Sequence, residues 1–361
     1  MQGDFLPADS PRWSDLVAEM RHDFYQLPGY VRLAAQKSGG VARCFVAEEN
    51  GFKFVSPLIV RDIPSLPGQS RGGPPRRDAV SPYGYSTPLM HGPPDASTAE
   101  RDAFLRAALR AFVDRLKVEG LVSTFYRLHP ILTLNPEPLA ELGHVVDGGE
   151  TVTIDLRASA EEMWRQTRRD HRREINKAKR RGDLPMVDTS WECLGGFVRA
   201  YQATMDRVGA EAHYFFSEQD FLELRKALGD RLHLVVVKIA GRVAAAGLFT
   251  EVCGIVQYHL SGTMNEFLPE APMKLLLHFA RLWFKERGNS VLHLGGGLGA
   301  RQDSLMDFKA GFSNGRARFR TWRLITDPHA YDALVREWEA RNQQTAPGPG
   351  EFFPAYRKSV N

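Results

Sequence analysis

The first candidate for chemistry lies in the run VLHLGGGLGARQDSLMDFKAGF, residues 291–312, which ends on Asp307, Phe308 and Lys309. Val291, Leu292 and Leu294 are strand-favouring or buried types. Gly295, Gly296 and Gly297 then allow tight turns and the close approach of a ligand or another segment. A single lysine follows an aromatic residue behind that opening. Lys309 reads either as an exposed charge or as the cation that meets a reacting group.

A second candidate is RQTRRDHRREINKAKRR, residues 165–181, with nine Lys/Arg against two acids, Asp170 and Glu174. At helical period Trp164, His171, Ile175 and Ala178 share one stripe. Arg165, Arg168, Arg169, Arg172, Arg173, Lys177 and Arg180 crowd the other faces. Like charges at i,i+4 (Arg165/Arg169, Arg168/Arg172, Arg169/Arg173) destabilise an isolated helix by roughly a few tenths of a kcal/mol per pair. A nearby polyanion removes that penalty. The segment is therefore either a solvated face or a binding surface for nucleic acid or phosphate.

The elements that position these residues come in two copies. VARCFVAEENGFKFVSPLIV forms two strand-like runs around Asn50-Gly51, a hairpin signal, and LHLVVVKIAGRVAAAGLFT repeats the pattern around Ala240-Gly241. A loop and SPYGYSTPL follow the first hairpin; the strand VQYHLSGT follows the second. Each copy then has an amphipathic helix stopped by glycine, Gly120 or Gly288, and a closing strand, LVSTFYRL or SVLHL. The expected fold is α/β (α+β): two related modules, 1–150 and 151–361, each a mixed, mainly antiparallel sheet flanked by helices. They join near residues 148–156, and the basic helix opens the second. The Pro/Gly/Arg stretch at 65–77 reads as a mobile insertion, either a plain surface loop or a flap over a ligand. The Pro- and Gly-rich stretch at 345–354 reads as loop.

Composition narrows the class. The chain has 361 residues, enough for two domains, and its 43% hydrophobic and 25% charged content is that of a soluble globular protein. No apolar run approaches a membrane span of about 20 residues. The first residues, MQGDFLPADSPRW, lack a basic n-region followed by an apolar core. Cys44, Cys193 and Cys253 lie far apart, which suggests buried thiols in a reducing compartment and a cytoplasmic protein. The eleven histidines include no HExxH or other metal-ligand spacing, so no metal is expected.

Tandem modules of this order resemble the FemABX peptidyltransferases within the GNAT N-acyltransferase superfamily. DAVSPYGYSTPL (78–89) is similar to the SPYGYxGP signature of the first Fem module, with Thr87 where glycine is usual. RLHP (127–130) and GETVTIDL (149–156) follow as in that group. WRQTRRDHRREINKAKRRG (164–182) resembles the R-x-x-I-x-K-A-x-x-x-G helix. HLGGG and DSLMDFKAGF resemble the C-terminal strand and loop. The likeness spans about residues 41–319 and rests on the order of its motifs.

The resemblance implies an acyltransferase whose donor is an aminoacyl-tRNA and whose acceptor is an amine. It gives Phe308-Lys309 the place of the family's phenylalanine-lysine pair and Lys309 the contact with the reacting ester. No cofactor is implied beyond the aminoacyl-tRNA co-substrate. The coiled-coil insertion of some Fem enzymes has no counterpart here. The rival donor, acyl-CoA, normally sits on a Q/R-x-x-G-x-G/A loop at a helix N-terminus. No glycine in this chain completes that pattern, and the second-module junction, PEAPMKLL, has none at all.

Amine attack on an ester needs positioning, loss of one proton and a partner for the oxyanion. Lys309 is the candidate partner. His259 on VQYHLSGT and His293 on VLHLG read either as the proton acceptor or as packed strand histidines. Strand alternation would put Tyr258 and His259 on opposite faces. Tyr83, Tyr85 and Tyr214 read as acceptor-pocket or core residues. Three functions remain open at this level: a tRNA-dependent aminoacyltransferase in natural-product or cell-wall biosynthesis, an acyl-CoA N-acyltransferase, and a non-catalytic RNA-binding scaffold. The missing apolar helix favours a soluble acceptor over a lipid-linked one.

Overall fold

The computed structural model describes residues 1–64, 76–297, 299, 302–348 and 350–359. The insertion read from sequence at 65–77 lies mostly outside them. Two compact units emerge: Met1–Gly148 with Phe319–Asn361, and Gly149–Arg318.

The first unit contains β1 (Gly3–Pro7), α1 (Pro11–Ala18), α2 (Pro28–Lys37), β2 (Val41–Glu49), β3 (Phe52–Asp62), β4 (Arg77–Val80), β5 (Leu89–His91), α3 (Thr98–Val118), β6 (Leu121–Leu128) and α4 (Pro136–Ala140). β2 and β3 form the expected hairpin. Asn50 and Gly51, at φ 50° and 79°, supply the left-handed pair such a turn needs. β4 runs antiparallel to β3 and parallel to β6. The third strand is therefore the four residues before SPYGY, and SPYGY itself is a turn. Ser97 and Glu100 form a capping box at the start of α3. Phe104, Ala108 and Phe112 then fall at successive i,i+4 steps and are buried with Phe45, Phe54 and Tyr126.

β7 (His144–Asp155) leads into the second unit, which holds α5 (Ala160–Gln166), α6 (Arg169–Arg181), β8 (Leu184–Val187), α7 (Leu194–Val208), α8 (Glu218–Leu228), β9 (Leu232–Ile239), β10 (Arg242–Val252), β11 (Ile255–Thr263), α9 (Pro272–Glu286), β12 (Val291–Gly295) and α10 (Ser304–Ala310). β9 and β10 pair through the Ala240-Gly241 turn. β11 is antiparallel to β10 and parallel to β12, the same pattern as β3, β4 and β6. The duplication is thus present in strand order as well as in sequence. Residues 152–155 of β7 close the sheet against β12. Ile154, Phe249, Leu276, Phe284, Leu292 and Phe312 lie in its core.

The chain then passes through β13 (Gly315–Ile325) and α11 (Pro328–Asn342). This corrects the expected module 151–361, because the C-terminal segment packs with the first unit. Arg320–Ile325 pair antiparallel with β6, and Trp322 is buried in the first core. The Pro/Gly-rich tail ends in a short helical turn, where Tyr356 Oη bonds Ser123 at 2.8 Å and Asp78 at 3.1 Å.

A second correction concerns the basic segment, which is two helices and not one. α5 ends at Gln166; Thr167 is extended and bonds its hydroxyl to the Met163 carbonyl at 2.8 Å. Arg168 is the N-cap of α6. Arg165/Arg169 and Arg168/Arg172 therefore are not i,i+4 neighbours on one helix. Of the cysteines, all free, Cys44 and Cys193 are buried, but Cys253 lies exposed in the β10–β11 turn. Among the described residues no helix is long and apolar enough to cross a membrane, and no His/Cys/Asp/Glu group could hold a metal ion.

Candidate active site

Lys309 is buried, at 8% exposure, on the short helix α10. Asp303 caps that helix by accepting from the Met306 N–H at 2.8 Å. The lysine Nζ donates to the Gly296 carbonyl at 2.6 Å. Gly295 sits at φ +77°, and a Cβ there would lie 3.3 Å from Nζ. β12 therefore ends in a residue without a side chain next to the carbonyl that the ammonium reaches. Burial pulls the Lys309 pKa down to about 8, with Asp303 opposing. Near pH 7 most molecules keep the charge, about nine in ten by the ten-to-one rule per pH unit. A buried cation beside glycine backbone can stabilise a developing oxyanion, since low dielectric strengthens the interaction.

Phe308 is a packing residue: its ring lies 5.5 Å from His171 and 5.6 Å from Phe312. What approaches α10 from the basic helix is His171, whose Nε2 lies 2.9 Å from the Phe308 carbonyl. Arg168 grips Asp307 with two guanidinium bonds of 2.8 and 3.1 Å and also bonds Asp170 at 2.7 Å. Arg168 is thus paired with two carboxylates at the surface and is not part of the unpaired cationic face. Arg165 pairs with Glu162 and Arg173 with Glu174. Arg169, Arg172, Lys177 and Arg180 make no ion pair among the described residues, and with Arg173 they form the outer side of α6, opposite buried His171, Ile175 and Ala178.

His259 is the extra residue of a β-bulge, because Leu248 pairs with Leu260 and Phe249 with Tyr258. The bulge suspends the alternation that would separate Tyr258 and His259. Both are half-buried. Tyr258 Oη bonds the Ser261 hydroxyl and lies 3.3 Å from the Met273 sulfur; burial pushes its pKa up to about 12. His293 is buried on β12, its Nδ1 2.6 Å from the Gln257 amide oxygen on β11. Gly297 follows, half-buried. Tyr214 lies between α7 and α8, where its carbonyl accepts from Tyr201 Oη at 2.8 Å.

Tyr83 and Tyr85 belong to the first unit. Tyr83 is exposed beneath the Arg127 guanidinium, 5.5 Å from its ring. Tyr85 sits edge-on to Tyr25, His129 and Phe319; burial pushes its pKa up to about 12 while Arg127 opposes. His129 is a strut. Its Nδ1 accepts the Ile131 and Leu132 N–H groups, so its Nε2 carries the proton and donates to fully buried Asp23 at 2.9 Å.

Sequence reasoning missed the basic core under α6. Arg281 is fully buried and donates to Thr167 Oγ1 at 2.8 Å, to His278 Nδ1 at 3.0 Å, and to the Met163 and Phe312 carbonyls. Burial lowers its pKa to about 10. Burial, then repulsion from Arg281 and Lys179, lowers that of His278 to about 3. Nothing in the local pattern of α9 separates Arg281 from a surface arginine. A cavity of about 280 Å³ lies against α10, lined by Glu150, Asp303, Met306, Asp307 and Arg316 among others.

Residues 165–310 match the family model described as an acetyltransferase (GNAT) domain. Among solved structures, FemX is similar at a TM-score of 0.69 and 15% identity, over 92% of this chain and 99% of that one. The C-terminal domain (DUF2156) of a protein described as a lysylphosphatidylglycerol synthetase from Agrobacterium fabrum is similar at 0.55 and 13%, over 91% and 94%. A conserved protein of unknown function from Bacteroides thetaiotaomicron VPI-5482 is similar at 0.53 and 10%, over 87% and 96%. No curated protein matches by sequence.

Proposed function

On this FemABX-like GNAT fold we propose that the protein transfers an aminoacyl group from aminoacyl-tRNA to the amine of a soluble small-molecule or peptide acceptor in the cytoplasm. The amine nitrogen attacks the ester carbonyl, a C–N bond forms, and the C–O bond to the ribose breaks. The amine's proton is lost as the tRNA hydroxyl leaves with one. The observation that carries the reading is the buried Lys309 ammonium at the glycine end of β12. It is the residue to which the Fem resemblance in sequence assigns the contact with the ester.

Two further observations support an RNA-borne donor over acyl-CoA. The outer face of α6 presents Arg169, Arg172, Lys177 and Arg180 without acidic partners among the described residues. At the β11–α9 junction a pyrophosphate cradle would need free N–H groups, but Pro272 has none and Lys274 N–H is spent on the Ala271 carbonyl. The test is to supply purified protein with a pool of charged tRNAs and candidate amines, and in parallel to titrate it with acetyl-CoA. Consumption of one aminoacyl-tRNA with amide formation is expected. Tight CoA binding with tRNA-independent transfer would replace the reading with an acyl-CoA N-acyltransferase. Binding of tRNA without turnover of any charged species would leave a scaffold.

A further inference from the structure

Three contacts join the start of the basic helix α6 to α10. His171 Nε2 meets the Phe308 carbonyl, the Arg168 backbone N–H meets the Gly311 carbonyl at 2.8 Å, and the Arg168 guanidinium meets Asp307. We propose that His171 is the positioning residue for Lys309, with Arg168 in a lesser role, so that the cationic stripe of α6 and the Lys309 ammonium move as one body. The proposal rests on the reading of Lys309 given above.

α10 has seven residues, too short to be stable by itself. Its end is tied locally by the Gly311 N–H, 3.1 and 3.2 Å from the Asp307 and Phe308 carbonyls, and by the Phe312 N–H, 3.1 Å from that of Lys309. His171 adds a second, shorter bond of 2.9 Å to the carbonyl of Phe308, the residue before the lysine, and is the one that comes from another element. Its side chain is 1% exposed and packs edge-on to Phe312 at 4.8 Å. The seat is made by Gly311, where a Cβ would come within 2.5 Å of His171 Nε2. Two acceptors face the ring, the Phe308 carbonyl at Nε2 and Asp170 Oδ2 at Nδ1, 3.0 Å away, so the doubly protonated ring donates to both and a neutral ring to one of them. The clamp holds in the charged ring and in the neutral ring with its hydrogen on Nε2, and is lost when a neutral ring gives its one hydrogen to Asp170; burial lowers the His171 pKa while Asp170 and the Phe308 carbonyl oppose. The Arg168–Asp307 pair is different. Its side chains are 42% and 68% exposed, so water and salt weaken it, and the buried histidine bond dominates. Once the clamp is lost, α10 can rotate or fray, and Nζ leaves the Gly296 carbonyl.

The test compares His171→Phe, which keeps ring bulk but has no donor, with His171→Gln, whose amide nitrogen reaches about as far as Nε2. Lys309 is read in the protein alone, by its rate of modification with an acetylating reagent followed by peptide mass spectrometry. Transfer is read as kcat and KM for charged tRNA. His171→Phe should label Lys309 faster and lower kcat by about a hundredfold, the usual effect of a misplacement near 1 Å, with KM unchanged. His171→Gln should restore both. Gly311→Ala, which displaces the ring and leaves the histidine in place, should reproduce the Phe result. The proposal is overturned if the Phe variant labels Lys309 at the wild-type rate, or if Gln and Phe are equally impaired. If labelling follows the proposal while Lys309→Met keeps full transfer, the clamp stands and the reading of Lys309 falls.

Discussion

Lys309→Met should make the protein more stable near neutral pH while removing its activity, and the stability difference should shrink as pH rises. The ordinary lysine value of 10.5 falls to about 8 in the folded chain because the ammonium is buried. Below pH 8 the folded and unfolded chains both hold the proton, and the folded state bears the whole desolvation penalty. Between about 8 and 10.5 the folded state gives up its proton first, so stability climbs with pH. The shift corresponds to a penalty of about 3 kcal/mol near pH 7, falling to about 1 kcal/mol near pH 10. The bond from Nζ to the Gly296 carbonyl offsets part of this, by about 1.5–3 kcal/mol for a charged donor. The absolute gain at pH 7 is therefore small, and its change with pH is the cleaner quantity. Urea unfolding of both proteins at the two pH values measures it. The advantage of the Met variant should fall by about 2 kcal/mol between them. Parallel stability profiles would refute a lysine perturbed by burial. Transfer should drop by about a hundred- to a thousandfold, as for other lost oxyanion partners.

Reversing Arg169, Arg172 and Arg180 to Glu should weaken binding of charged tRNA and flatten its salt dependence by about 0.7–0.9 in slope per lost phosphate contact; an unchanged slope in filter binding removes α6 from the RNA surface. Arg281→Met takes a cation away from His278, so the histidine pKa, now about 3, should rise, which a proton NMR titration of its ring detects. His129→Phe removes the donor to Oδ2 of buried Asp23, whose Oδ1 keeps the Phe24 N–H at 2.7 Å, and should destabilise the protein by about 3 kcal/mol in denaturant unfolding, without an effect on tRNA affinity. A loss below about 1 kcal/mol would mean that Asp23 finds another partner.

The local elements were legible because their signals are local. Asn50-Gly51 and Ala240-Gly241 take the positive φ values that tight hairpins require, whatever surrounds them. α3 and α9 follow from apolar spacing and stop beside Gly120 and Gly288, at φ 68° and 81°. Two copies of one order then imply two units, and a lysine behind a glycine run is visible in one dimension. Strand partnership is not local, so the sequence could not show that residues 320–325 return to β6 and carry the C-terminus to the first unit. Nor could it show that Thr167 spends its hydroxyl on the turn before it and splits the basic helix, or that one extra residue on β11 undoes the alternation around His259.

Burial decided the rest. Lys309, Arg281 and a surface cation such as Arg180 are alike in type, and only the packed chain separates them by what surrounds each charge. His171 stood in the sequence as one apolar-face residue among several. Folding brought it to a carbonyl 137 residues away, beside the lysine that the sequence had already singled out.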